Sequence, residues 1–95
     1  MEILNISEDL VDAKQQSINH PDTFEYPEED LNFLKEGDYV KVCHNEERFW
    51  VMLTRMDGDS LVGFVNNDLV YKHQFKCDDK VSFEKRHVHQ IYGEW

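Results

Sequence analysis

Arg48-Phe49-Trp50-Val51-Met52-Leu53-Thr54-Arg55-Met56, then Asp57-Gly58-Asp59, then Ser60-Leu61-Val62-Gly63-Phe64-Val65: this stretch decides the fold. Its apolar residues recur with period two, the spacing at which successive side chains of a strand point to opposite faces. Phe49, Val51 and Leu53 fall on one face, and Trp50, Met52 and Met56 on the other. The return run places Leu61, Gly63 and Val65 against the alternates Val62 and Phe64. Between the runs Gly58 takes a positive φ without a Cβ clash, so the stretch reads as a β-hairpin.

The same period continues in both directions along the chain. Upstream, Tyr39, Lys41 and Cys43 alternate with Val40, Val42 and His44, another strand. Downstream, Asn66-Asn67-Asp68 reads as a turn, Leu69 to Phe75 as a fourth strand, and Cys77-Asp78-Asp79-Lys80 as a further turn. Val81 to Phe83 and Val88 to Tyr92 read as short terminal strands. Five or six short strands joined by tight turns suit a small sheet that curls or partly closes.

Before Gly37 the period is different. Leu10, Val11, Lys14 and Ile18 make a narrow helical stripe, with Ser7 as its cap and Glu8 and Asp9 in the first turn. Asn19-His20-Pro21 ends it, because the residue before a proline is pushed out of the helical region. A second short helical turn follows Pro27, with Leu31 and Leu34 facing inward and Gly37 as the stop. The expected fold is therefore α+β. An N-terminal helix packs on a strongly bent, five- to six-stranded antiparallel sheet, SH3-like or a partial barrel. Residues 1–95 form a single domain, with an acidic helical lead at 1–37 and the sheet at 38–92.

The charge is as unevenly distributed as the period. Twenty acids stand against ten Lys and Arg in 95 residues, a formal net charge of −10. Met1 to Asp38 holds eleven of those acids and two of the bases, a net of −9. Such a chain is a poor ligand for nucleic acid, whose binding rests on Lys and Arg neutralising phosphates. Its apolar runs fall far short of the roughly 20 residues that cross a bilayer. Two cysteines are too few for a disulfide-stapled scaffold, and the opening segment MEILNISEDLVDAK carries no basic stretch or cleavage site. The expected compartment is the cytoplasm, with both thiols reduced.

Glu47-Arg48-Phe49-Trp50-Val51, Gly63-Phe64-Val65-Asn66-Asn67 and Asp79-Lys80-Val81-Ser82-Phe83 form a series of short motifs. By them the chain resembles, over roughly residues 37 to 92, the small bacterial proteins of unknown function typified by YegJ. In that group an acid-x-x-Trp-Val strand precedes a Gly-x-x-Asn turn and a Gly-Asp-x-Val strand. The resemblance implies Glu47, Trp50, Gly63 and Asn66 as the motif positions. This chain departs from the group with Asp78-Asp79 in place of Gly-Asp and with Tyr92-Gly93-Glu94-Trp95 at its end. Because the group has no settled activity, the resemblance implies a fold and a non-catalytic role.

The residue chemistry offers few alternatives. His87 and His89 at i, i+2 would share a strand face, but a structural zinc wants about four ligands. Cys43, His44, His73 and Cys77 have no spacing that gathers them into such a site, so no metal and no cofactor is expected. Cys43 and His44 are strand neighbours and point apart, which argues against a nucleophilic pair and for a non-enzymatic chain. Trp50, Met52, Met56 and Phe64 form a second apolar face. Either the N-terminal helix covers it through Leu10, Val11 and Ile18, or it is a docking surface. Glu25, Glu28, Glu29, Asp30, Glu36 and Asp38 either form a solvated surface folded against the basic C-terminal stretch or present carboxylates in imitation of DNA phosphates.

The sequence thus leads to a non-enzymatic cytoplasmic domain that binds another protein. It would use the acids just named together with Trp50 and Phe64, and its sharpest form is a DNA-mimic-like inhibitor of a basic nucleic-acid-binding protein. Neither direct nucleic-acid nor membrane binding is expected. The competing reading is a YegJ-like housekeeping domain that binds a small ligand in the sheet without mimicry.

Overall fold

Phe49, Val51 and Leu53 turn inward together and are buried, with Val40 and Val42 on one side of them and Leu61, Val65, Val81 and Phe83 on the other. In the computed structural model, which describes residues 3–22, 26–70, 73 and 75–92, they form the inner face of one sheet. Among the described residues are one α-helix, α1 (Ala13–Asn19), and six strands: β1 (Leu4–Asn5), β2 (Tyr39–His44), β3 (Glu47–Asp57), β4 (Ser60–Val65), β5 (Lys80–Glu84) and β6 (Gln90–Ile91). The sheet order is β1-β5-β4-β3-β2-β6. β2 to β5 form an antiparallel meander, β6 joins the free edge of β2, and β1 lies parallel to β5. The fold is α+β, and the sheet is mixed and open rather than wholly antiparallel. Leu4 and Asn5 are both exposed, so β1 has none of the apolar alternation by which a strand is read.

The N-terminal lead crosses the inner face. Ile6 N–H donates to the Ser82 carbonyl at 3.0 Å beside β5, and Val11 N–H to the Cys43 carbonyl at 3.0 Å beside β2. Between them Ile6 and Leu10 are buried in the core. This crossing needs extended chain at Leu10, so the helix begins later than its apolar stripe suggests. Asp12, not Ser7, is its cap, its Oδ1 accepting Gln15 N–H at 2.9 Å. Ser7–Asp9 is a single 3₁₀ turn, and Ile18 is 64% exposed. α1 packs through the fully buried Ala13 near the turn Lys85–His87. The expected helical cover over Trp50, Met52 and Phe64 is thus on the wrong side, because the lead caps the face that carries Phe49 and Val51.

Two further expectations change. Leu69 to Phe75 is not a strand at its described residues, and Tyr71, Lys72 and Gln74 lie outside them. β4 pairs directly with β5, Gly63 opposite Val81, which leaves no gap for a strand between them. The loop instead sends Phe75 into the core. Met56 moves to the inner face, packing against the core, because the β3–β4 register slips between Leu53 and Arg55 and sets Met56 opposite buried Leu61. A 3₁₀ turn at Asp30–Phe33 buries Leu31, with Leu34 packed behind it, as the sequence suggests. Among the described residues no helix is long and apolar enough to cross a membrane.

Candidate functional site

With the lead on the inner side, no described helix covers the outer face of the sheet, and the strand register arranges that face in two rows. Lys41 stands opposite both Gln90 and Trp50, and Asn66 N–H donates to the Trp50 carbonyl at 2.8 Å. In the next row Tyr39 is opposite Met52, Met52 opposite Phe64 and Phe64 opposite Lys80, while Tyr92 N–H donates to the Tyr39 carbonyl at 3.0 Å. Trp50, Met52 and Phe64 are half-buried. Lys41 Nζ lies 4.8 Å from the centre of the Trp50 ring, and Lys80 Nζ 5.7 Å from that of Phe64, so each ring carries a cation on its face. Between the rows is a cleft of about 330 Å³ lined by Tyr39, Trp50, Asn66 and Tyr92. Trp50 and Tyr92 meet edge to face at 5.6 Å and 85°, and Tyr39 and Tyr92 at 6.1 Å and 70°.

The acidic segment lies elsewhere. It is pinned at Leu31 in the core and at Tyr26, whose hydroxyl donates to the Lys85 carbonyl at 2.9 Å. Burial first, and then the carboxylates of Glu28, Asp12 and Asp59, push that hydroxyl up to about 12. Between these anchors Glu28, Glu29 and Glu36 are exposed, Asp30 and Asp38 partly so, and Glu25 lies outside the described residues. Glu28 has an exposed ion pair with Lys14 at 3.8 Å, and Asp38 Oδ2 accepts Lys35 N–H at 3.0 Å. Tyr26, Pro27, Glu28, Glu29 and Asp30 surround a shallow hollow of about 390 Å³. The acids and the Trp50/Phe64 pair therefore belong to different sides of the sheet, since Leu31 packs against its inner face.

A third cluster was not visible in the sequence. His44 Nδ1 and His73 Nδ1 are 2.6 Å apart, and His73 Nε2 is 2.8 Å from Glu47 Oε1. One proton must lie between the two Nδ1 atoms, while His73 Nε2–H donates to the carboxylate. The other Glu47 oxygen accepts Val70 N–H at 2.8 Å. Phe75 stacks on His73 at 5.3 Å and meets His44 edge-on at 5.0 Å. His44 and Glu47 face each other because Asn45 and Glu46 both take positive φ, 49° and 67°, the tight hairpin turn that matches strand twist. For Glu46, which has a Cβ, this conformation costs energy that the surrounding contacts must offset. Burial, and then the neighbouring His73, hold His44 below the ordinary histidine value, with Asp9 acting in opposition. The cluster clamps the loop after Asn66 onto the β2–β3 hairpin.

The other candidates are scattered. Cys43 stands opposite Arg48; burial raises its thiol and Arg48 pulls the other way. Cys77 is raised by burial and by Asp78 and Asp68, so neither thiol is tuned as a nucleophile. His87 sits in a 3₁₀ turn, its Nδ1 accepting Glu84 N–H at 3.0 Å, and His89 lies in the loop before β6. The expected strand from Val88 shrinks to Gln90–Ile91, so His87 and His89 do not share a strand face. Among the described residues no three His, Cys, Asp or Glu side chains gather as metal ligands. Each residue of the short motifs has a structural contact: Glu47 holds His73, Trp50 accepts from Asn66, and Gly63 crosses close over β3.

Sequence reasoning missed Tyr39, Lys41 and Tyr92 as members of the Trp50 face, although period two alone puts Tyr39 and Lys41 on the side opposite Val40. Tyr92 needed the β2–β6 register, and the His44–His73 contact needed a loop closure that no local pattern encodes. Compared with protein-family models, with curated proteins and with solved structures, the chain matches none.

Proposed function

We propose that this protein is a non-enzymatic, cytoplasmic interaction domain that binds a basic, nucleic-acid-binding protein through its acidic segment, in the manner of a DNA mimic. The observation that supports the reading most is the Tyr26–Asp30 hollow. Glu28 and Glu29 are exposed and Asp30 partly so, yet the backbone that carries them is pinned at Leu31 and Tyr26. Anchored acids keep their spacing, so a Lys or Arg of the partner meets a preorganised site at a smaller entropy cost. The aromatic ring at the edge of the hollow suits a guanidinium, which pairs with carboxylates and packs on rings. The net charge of −10 adds long-range steering of a cationic partner. The bent sheet is SH3-like in kind, and kinship with the YegJ-like group belongs to the competing reading. The test is capture from bacterial lysate by the full chain, with Glu28→Gln/Glu29→Gln/Asp30→Asn alongside. A basic nucleic-acid-binding protein held by the wild type and not by the variant supports the reading. Equal capture by both overturns it.

The competing reading, a domain that binds a small ligand in the sheet, is favoured by the aromatic cleft of Tyr39, Trp50 and Tyr92. The two separate on ionic strength, because exposed charge pairs are screened by salt and apolar stacking is not.

A further inference from the structure

We propose that the cleft on the outer face binds a mononucleotide, a flat aromatic base that stacks on Tyr92, meets Trp50 edge-on and carries a phosphate held by Lys41. This proposal rests on the small-ligand reading and names its substrate class. Three observations converge on it. First, Tyr39, Trp50 and Tyr92 line one cleft with near-perpendicular rings, 85° between Trp50 and Tyr92 and 70° between Tyr39 and Tyr92. A planar ligand laid on one of these rings presents its edge to the next, and both arrangements suit the aromatic quadrupole. Second, Asn66 gives the same cleft an amide able to donate and accept, which is what the polar edge of a nucleobase requires.

Third, Lys41 Nζ lies 4.8 Å from the centre of the Trp50 ring. It takes the place a ligand ammonium would occupy and repels one, so this set of rings is not a cage for a cation. The same charge favours a ligand with an anionic group beside its ring. Lys80 over Phe64 extends the positive character along the second row. The outer face is thus locally basic on a chain whose net charge is −10. That net charge also sets the size of the ligand. A nucleic-acid strand brings many phosphates into a repulsive field, whereas a mononucleotide brings one phosphate to one lysine. The cleft of about 330 Å³ lies at the small end of the range of roughly 300–1,000 Å³ for ligand sites, which fits a single nucleotide.

The test is an NMR titration of the full chain with the four ribonucleoside monophosphates, their nucleosides, inorganic phosphate and a short single-stranded oligonucleotide. At least one monophosphate is expected to bind and to shift the resonances of Tyr39, Lys41, Trp50, Asn66 and Tyr92. Its nucleoside should bind about tenfold more weakly, the worth of one charge-assisted contact. Lys41→Gln should bring the nucleotide down to the affinity of the nucleoside, and Trp50→Leu should abolish binding of both, with unchanged amide dispersion elsewhere reporting an intact fold. If a nucleoside binds as tightly as its monophosphate and Lys41→Gln changes nothing, the nucleotide proposal fails while the small-ligand reading survives. If no nucleoside, nucleotide or oligonucleotide binds, the proposal is overturned, and the small-ligand reading is left to a ligand of another class. An oligonucleotide that binds more than about tenfold tighter than every mononucleotide also overturns it, in favour of a strand-binding face.

Discussion

Gly63 sits where β4 crosses β3 with no room for a side chain. A Cβ there would lie within contact distance of the Met52 carbonyl oxygen and 2.7 Å from Val51 Cγ1. Backbone cannot yield as a flexible side chain does, so Gly63→Ala should destabilise the protein by about 1–3 kcal/mol, the usual cost of overpacking, read as a lower urea midpoint. Glu47 is the second residue on which much depends, since both of its oxygens hold the loop after Asn66. Glu47→Ala leaves the buried His73 ring without its acceptor and should cost about 2 kcal/mol. Enhanced amide exchange at Val70 is the sign that distinguishes a released loop from a general loss of stability. Three buried or half-buried histidines contribute a pH dependence. His44 and His87 are held below the ordinary value and His89 is lowered to about 4, in each case chiefly by burial. The unfolded chain therefore binds more protons than the folded one between the ordinary histidine value and these lowered ones. Their contribution is complete above about pH 6.5 and is lost as the pH falls toward 4. The urea midpoint of the wild type should fall over that range by more than that of His89→Gln; equal slopes would remove His89 from the account.

At the scale of elements, α1 is only seven residues long and relies on its cap and on Ala13 more than on its own propensity. Asp12→Ala removes the bond to Gln15 N–H and should cost about 1 kcal/mol, with a measurable loss of helical circular dichroism. If the helical signal is unchanged, Asp12 is not the cap. The β3–β4 hairpin was legible because its residues obey period two, from Phe49 to the slip after Leu53 and again from Leu61 to Val65. What was not legible has physical causes. Two-residue strands such as β1 carry no period at all. Leu10 obeys the helical spacing but serves as an extended core residue, because tertiary burial outweighs propensity over so short a stretch. Leu69 to Phe75 alternates like a strand in sequence, yet Phe75 enters the core from a loop, Leu69 packs against it and Val70 is exposed. At the candidate site the acids and Trp50 were visible as residue types. Their separation onto two sides of the sheet follows from Leu31 packing on the inner face, a long-range contact that only the three-dimensional path reveals.

The whole molecule is bipolar. An acidic segment anchored at Tyr26 and Leu31 stands on the inner side of the sheet, and an aromatic face with Lys41 and Lys80 stands on the outer side. The two faces give separable behaviour. Binding to the acidic hollow should weaken steeply with salt and be abolished by removal of charge at Glu28, Glu29 and Asp30, while Trp50→Leu should leave it intact. The most direct test of the interaction reading is capture from bacterial lysate at about 50 mM and about 500 mM salt, a range over which exposed pairs become screened. Wild type, Glu28→Gln/Glu29→Gln/Asp30→Asn and Trp50→Leu would be run side by side. For an interaction through the acidic segment, a basic nucleic-acid-binding protein should be enriched at low salt by the wild type and by Trp50→Leu, and lost both at high salt and in the charge variant. Capture that is indifferent to salt and to the three carboxylates, or no basic protein at all, would contradict it.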